Sequence, residues 1–377
     1  MIRPFMVMEL LARARELEAQ GKSIIHMEIG EPDFPTPKPI VEAGMEAIAT
    51  GHVGYTPAAG LPSLRRAISN YYLDRYHVTV PEERIILTPG ASGAFILVMA
   101  LILEAGDQVL MSDPGYPCNR HMVRLHDGEP VLIPVGAETN FHLTAEMIKC
   151  HWQTRTRGVW IASPANPTGT VIDPQQMAAI CEEVANRGGF LLSDEIYHGL
   201  EYGKPCRSVL QLTNDVFVVN SFSKYFGMTG WRLGWLIVPE YAVDVATRLA
   251  QNLFIAAPTH SQQAALVAFS PETMGQLEHR RRMFETRGDF LYDALIDMGF
   301  GVHSKPEGAF YLYASCAPFG IESGRLCRDL LERVGVAVTP GLDFGHWQAD
   351  SHVRFAFTTD LDRLKEGADR IRKYLHA

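Results

Sequence analysis

The residues with the most chemical content stand at Ser221-Phe222-Ser223-Lys224, with Arg232 further along the same segment. The lysine follows an apolar run, Val216-Phe217-Val218-Val219, and two hydroxyls. Behind it the chain reads Phe-Gly-Met-Thr-Gly-Trp-Arg-Leu-Gly-Trp. Most lysines of a globular protein are solvated surface charges. One set among apolar and small residues loses its proton more easily, because burial disfavours the charged form. A neutral amine attacks a carbonyl carbon and forms a Schiff base, so Lys224 points to covalent amine chemistry.

Other residues carry weaker local signals. Gly90-Ala91-Ser92 follows a strand-like run and opens a helix, where backbone N–H groups and a hydroxyl make a phosphate cradle. Taken alone, such a start is ordinary capping. Asn166 sits in Pro164-Ala165-Asn166-Pro167-Thr168-Gly169, which by itself reads equally as a stiff turn. Asp194 and Tyr197 follow Phe190-Leu191-Leu192. An aspartate straight after a buried strand either caps a helix or meets a cation, and capping is the default. Arg232 offers a planar guanidinium suited to bidentate phosphate contact.

The elements that must position these residues follow a rhythm. Strand-like runs recur at 84–88, 108–111, 130–134, 158–162, 189–192, 216–219 and 233–238. Helical stretches lie between them, such as 92–104 and the one opened by Asp173-Pro174 and running to about Asn186. Strands that are apolar on both faces and alternate with helices indicate an α/β fold with a mostly parallel sheet covered on both sides. Ligands of such sheets bind beyond the carboxyl ends of the strands, where the residues above cluster. A long charged helix over about 272–299 follows. Then come a strand at Ala309–Tyr313, a helix at Gly324–Val334, a strand at His352–Phe357 and a helix capped by Asp360. This second part reads as a smaller α+β domain, completed by the N-terminal segment. The expected division is 1–40 for that segment, 41–275 for the large domain and 276–377 for the small one.

Composition narrows the function classes. The 377 residues are 47% hydrophobic, enough for one large and one smaller domain. A net charge of −9 without a basic run argues against a nucleic-acid partner. The six cysteines are scattered without a C-x-x-C pair, which disfavours a disulfide framework or a zinc site, and no metal is expected. The first residues lack the apolar core of a signal peptide, and the longest apolar run is about half a bilayer span, so a cytoplasmic protein without membrane contact is expected. Nucleotide-binding and metalloprotease motifs are missing.

In combination and in this order, these elements resemble the aspartate-aminotransferase-like family of pyridoxal-phosphate enzymes, the class I/II aminotransferases of fold type I. The likeness covers nearly the whole chain. It includes Gly30-Glu31-Pro32-Asp33-Phe34, Tyr55-Thr56-Pro57 with Gly60-Leu61, and Arg354. It implies a seven-stranded, mostly parallel sheet sandwiched by helices. It also implies pyridoxal 5'-phosphate held by Lys224 as an internal aldimine, the freed amine then moving a proton between substrate and cofactor. Asp194 would pair with the pyridine nitrogen, while Tyr197 and Asn166 would bond the phenolic oxygen. Tyr116 would lie against the ring. Gly90, Ala91, Ser92, Ser221, Ser223 and Arg232 would surround the phosphate. Tyr55 would reach the phosphate of a neighbouring subunit in a homodimer. Arg354, with Asn166, would bind the substrate α-carboxylate, and Gly30 and Phe34 would line the substrate entrance.

The phosphate turn is Gly-Ala-Ser and the ring-stacking residue is Tyr116, which departs from the aspartate-specific pattern and puts narrow aspartate specificity in doubt. Arg120 is a candidate cation for a side-chain carboxylate, though a solvated helix charge is the expectation there. The reaction so implied is ping-pong transamination between an amino acid and a 2-oxo acid. Two alternatives are other chemistry on the same cofactor, such as a C–S β-lyase, and a non-catalytic binding module.

Overall fold

The computed structural model describes residues 6–376. The chain opens with helix Met6–Ala19, whose Val7, Leu11, Ala14 and Leu17 share one buried face at helical spacing. Strand β1 (Ile25–His26) follows, then helices Lys38–Ala49 and Pro62–Tyr76, each with a proline in its first turn.

Seven strands then build the central sheet: β2 (Ile85–Thr88), β3 (Gln108–Asp113), β4 (Glu129–Pro134), β5 (Thr156–Ala162), β6 (Phe190–Asp194), β7 (Phe217–Ser221) and β8 (Gly234–Ile237). Their order across the sheet is β2-β8-β7-β6-β5-β3-β4. Every neighbouring pair is parallel except those involving β8, which runs against both β2 and β7. The expected mostly parallel sheet is therefore the observed one. The continuous apolar runs form strands because helices cover both faces. Asp173 caps helix Pro174–Asn186, its carboxylate accepting from Gln175 N at 2.8 Å.

Helix Pro271–Asp297 leads out of this sheet into a second one. That sheet holds β9 (Gly301–Val302), β10 (Tyr311–Ser315), β12 (Thr339–Pro340) and β13 (His352–Ala356), in the order β12-β13-β10-β9. A further strand, β11 (Val336–Ala337), pairs in parallel with β1, tying the first segment to the last third of the chain. Asp360 caps the final helix, Leu361–Leu375.

Most element boundaries shift by one or two residues from expectation, and two of the differences have a visible backbone cause. The strand expected at Ala309–Tyr313 starts two residues later, because Ala309 takes φ +57 and turns the chain. The helix expected over Gly324–Val334 changes at Leu330 into a wider turn that ends on Gly335 at φ +67. Gly335 would bring a Cβ within 2.7 Å of Ser23 O, so glycine is needed both for that φ and for contact with the N-terminal segment.

Candidate active site

The carboxyl ends of β2, β5, β6 and β7 lie side by side: Ala162 is level with Asp194, Asp194 with Val219, and Ser221 with Gly234, which also faces Thr88. Beyond them opens a cavity of about 250 Å³. Lys224, Asp194, Tyr197, Asn166, Tyr116, Ala91, Ser92, Ser221, Ser223, Arg232, Gly30 and Arg354 line it. Residues from seven stretches of sequence thus meet in one place.

Lys224 reaches across the cavity and donates from Nζ to the Gly30 carbonyl oxygen at 2.7 Å. Its ammonium stands 6.0 Å from the Tyr197 ring centre and 5.8 Å from that of Phe310. Burial lowers its pKa from 10.5 to about 8, helped by Arg354 and Arg232 and opposed by Glu31 and Asp194. An amine so placed is partly neutral near neutral pH.

Asp194 ends β6 and Glu195 follows it, and their side chains part ways. Glu195 turns inward, accepting from Ser208 Oγ at 2.9 Å and Val209 N at 2.9 Å. Asp194 turns to the cavity, where the backbone N–H of Ile196, at 3.2 Å, is its hydrogen-bond donor. It therefore holds a turn, as its local signal suggested, and also presents a buried carboxylate. Burial raises its pKa from 3.8 to about 7. A cation brought against it would reverse that shift.

At one end of the cavity, helix Gly90–Ile102 points its N-terminus inward. Arg232 lies against it. A Cβ on Gly90 would stand 2.5 Å from Arg232 Nη2, and Gly90 has φ +70, so only glycine lets the guanidinium settle there. Ser92 is exposed into the cavity. Ser221 Oγ accepts from Ser223 N at 3.0 Å, shaping the turn that carries Lys224. Helix N-terminus, guanidinium and hydroxyls form an anion cradle.

At the other end, Arg354 is 3% exposed. Its Nη1 donates to Asn166 Oδ1 at 3.0 Å and its Nη2 to the Glu28 carbonyl. Its guanidinium lies 4.4 Å from the Tyr311 ring centre and 4.7 Å from that of Phe344. Among the described residues, Arg354 Nε is buried without a hydrogen-bond partner. A buried donor left unmatched in a lined cavity marks a place where an anion completes the set. Tyr197 OH and Tyr311 OH are hydrogen-bonded at 3.0 Å between the two ends.

Two expected residues lie elsewhere. Phe34 does not line the cavity. Its ring packs edge-on against Phe284, with centroids 5.3 Å apart, under the Arg287 guanidinium at 4.9 Å. Arg287 also grips Asp33 through two bonds of 2.8 and 2.9 Å, and this pair holds the half-buried Phe34 against the edge of the core. Tyr55 is 86% exposed and also outside the cavity. Arg120 is no solvated charge: its Nη2 donates to Asp343 O at 2.9 Å.

Sequence reasoning missed Tyr311, Glu31, Thr229, Val7 and Met8, all of which line the cavity. Tyr311 was read only as part of a strand. A Cβ on Gly30 would fall 1.7 Å from Tyr311 OH, so these two positions are matched, but they are far apart in the chain and no local pattern links them.

A cationic cradle, a buried carboxylate, a buried amine and a second buried guanidinium suit a phosphorylated, nitrogen-containing ring with a carbonyl, together with a carboxylate substrate. Comparison with known proteins agrees. Residues 22–371 match the family model for aminotransferases of class I and II. The chain is 38% identical to a valine–pyruvate aminotransferase of Mycobacterium tuberculosis, covering 99% of this chain and 97% of that one. It superposes on a crystal structure of an aminotransferase from the same organism with TM-score 0.96 at 38% identity, covering 100% and 97% of the two chains. Against aspartate aminotransferase from Thermus thermophilus with maleate, the TM-score is 0.93 at 30% identity, covering 99% and 97%.

Proposed function

The chain belongs to the class I and II aminotransferases, which depend on pyridoxal phosphate, and from that premise we propose that it exchanges an amino group between an amino acid and a 2-oxo acid by a ping-pong route at this cavity. The observation that carries the reading is the gathering of Lys224, Asp194, Arg232 and Arg354 around one cavity. When bound, pyridoxal phosphate supplies a carbonyl for Lys224 and an electron sink for the substrate α-carbon.

The chain's own residues do the rest. Arg232, the N–H groups of Ala91 and Ser92, and the hydroxyls of Ser92, Ser221 and Ser223 would hold the phosphate, with Gly90 leaving room for the guanidinium. Asp194 would hold the proton on the ring nitrogen, Tyr197 and Asn166 would bond the phenolic oxygen, and Tyr116 would lie beside the ring. Arg354 binds the substrate α-carboxylate at two points and so orients the α-C–H toward Lys224. Lys224, its pKa lowered by burial to about 8, would take that proton and return it.

The same reading makes the protein a cytoplasmic homodimer. Tyr55, Met45, Ile48 and Val53 are large apolar residues exposed near one another in sequence, which supports a covered face with Tyr55 serving the partner's site. Among the described residues no helix is long and apolar enough to cross a membrane. The division at about residues 40 and 275 belongs to this proposal, supported by the separate sheets and the β1–β11 pairing. Initial rates over a grid of amino-acid and 2-oxo-acid concentrations test it: parallel double-reciprocal lines are expected, and intersecting lines refute the ping-pong route.

A further inference from the structure

We propose that the substrate's side chain is uncharged and apolar, that Val7 and Met8 of the first helix form its contact wall, and that Asp343 is the positioning residue that keeps them there. The inference rests on the transamination reading and names the substrate class for that site.

Asp343 carries a latch. Its buried carboxylate accepts from Met6 N at 3.0 Å through Oδ1 and from Val7 N at 3.3 Å through Oδ2. These N–H groups lie in the first described turn of the helix, and a carboxylate placed there complements the helix dipole. The contact spans more than 330 residues of chain, so it is tertiary rather than local. It fixes the helix start over the cavity, where both Val7 and Met8 line the wall.

The next residue joins the latch to the clamp. The Phe344 ring lies against the Arg354 guanidinium, and the Phe344 carbonyl accepts from Gly115 N at 2.9 Å, just before Tyr116. On the other side, Ile29 lines the cavity directly after Glu28, whose carbonyl holds Arg354. An amino acid gripped by Arg354 therefore finds Val7, Met8 and Ile29 around it.

The charges argue the same way. Among the described residues, the cations lining the cavity are Lys224, Arg232 and Arg354. Each has work at the cofactor or the α-carboxylate. Arg120 points to Asp343 O, and borders a neighbouring cavity behind Tyr116. A side-chain carboxylate would meet apolar Val7, Ile29 and half-exposed Met8 with no further cation among the described lining residues, and Glu31 would add repulsion.

The test uses holoenzyme in single-turnover half-reactions with L-leucine and L-aspartate, on wild type, Asp343→Asn, Asp343→Ala and Met8→Arg. Hydrogen exchange of the peptide beginning at Met6 is read alongside. Wild type is expected to favour L-leucine by about 100-fold in kcat/KM. Both Asp343 variants should shrink that preference by about fivefold or more, chiefly through KM, and speed exchange at the helix start, because a lost cap loosens the first turn. Met8→Arg leaves the latch intact and should raise the relative rate with L-aspartate. Equal or better use of L-aspartate by wild type overturns the substrate class. An unchanged preference and unchanged exchange in both Asp343 variants overturn the latch. If no amino acid reacts at all, the transamination reading fails instead, and hydrogen exchange still decides the latch.

Discussion

The Lys224 ammonium donates a 2.7 Å hydrogen bond to the carbonyl oxygen of Gly30, 194 positions earlier in the chain. This bond joins the lysine-bearing turn beyond β7 to the segment whose neighbouring carbonyl, that of Glu28, holds Arg354. One short piece of backbone thus sets the distance between the amine and the Arg354 guanidinium. The same piece is pinned further along, where Thr36 Oγ1 donates to the Gly227 carbonyl at 2.8 Å.

Gly30→Ala tests that arrangement. The added Cβ would meet Tyr311 OH at 1.7 Å. Overpacking of this kind costs about 1–3 kcal/mol, and here it also displaces the carbonyl that faces Lys224. We expect a lower denaturant midpoint and a loss of turnover of about 100-fold or more. Tyr311→Phe removes the clashing oxygen. The double variant should recover part of the lost stability, with a coupling of about 0.5 kcal/mol or more in a double-mutant cycle.

Asp194→Asn should act in opposite directions on apoprotein and holoenzyme. Burial raises the Asp194 carboxyl from 3.8 to about 7, so the folded apoprotein holds this proton more tightly than the unfolded chain does. The stabilisation is complete below about pH 4 and is lost as pH rises through about 7. Asparagine has no proton to lose. Its apoprotein should therefore gain about 1–3 kcal/mol over wild type by about pH 8, and nothing at about pH 4, in urea melts. Turnover of the loaded variant should fall by about 100-fold or more, since the ring nitrogen loses its partner.

Arg354→Lys keeps a positive charge and removes the planar fork. Asn166 Oδ1 and the Glu28 carbonyl now orient that fork from two sides. Lysine offers one point of attachment, so KM should rise for both the amino acid and the 2-oxo acid, with kcat/KM lower by about 100-fold. Near wild-type KM for both substrates would remove Arg354 from the clamp.

Gly90→Ala places a methyl group 2.5 Å from Arg232 Nη2 at a backbone φ of +70. The guanidinium must leave the helix N-terminus. Retention of pyridoxal phosphate through dialysis should drop, with a dissociation constant raised about tenfold or more. Affinity for unphosphorylated pyridoxal should change little, which separates a phosphate defect from general unfolding.

Features that depend on neighbours in sequence were legible. Asp173 and Asp360 announce their helices because a cap is a local bond, and the seven strand-like runs appear as strands because each is mostly apolar and bounded by turn residues. Lys224 and Asp194 could be read because they sit at or just past the carboxyl end of a strand, where sites converge in this architecture, and Arg232 because it stands just before the strand that runs back. Phe34 was misread because its direction depends on the Asp33–Arg287 pair, which involves a helix some 250 residues away. Tyr311, Val7 and Met8 left no local signal either. An aromatic in a strand or an apolar pair on a helix looks the same whether it faces core or cavity. Tertiary contacts such as Asp343 with Met6 and Val7 decide between the two.

The central claim is that Lys224 carries the cofactor and moves the proton. The direct measurement mixes holoenzyme with single amino acids and follows the near-visible absorbance of bound pyridoxal phosphate by stopped flow, with the product identified. Wild type should lose that absorbance with at least one amino acid and release the matching 2-oxo acid without ammonia, while Lys224→Ala should lack the absorbance change. A wild-type protein that stays colourless after incubation with pyridoxal phosphate, or one that releases ammonia and pyruvate with no acceptor present, would contradict the account.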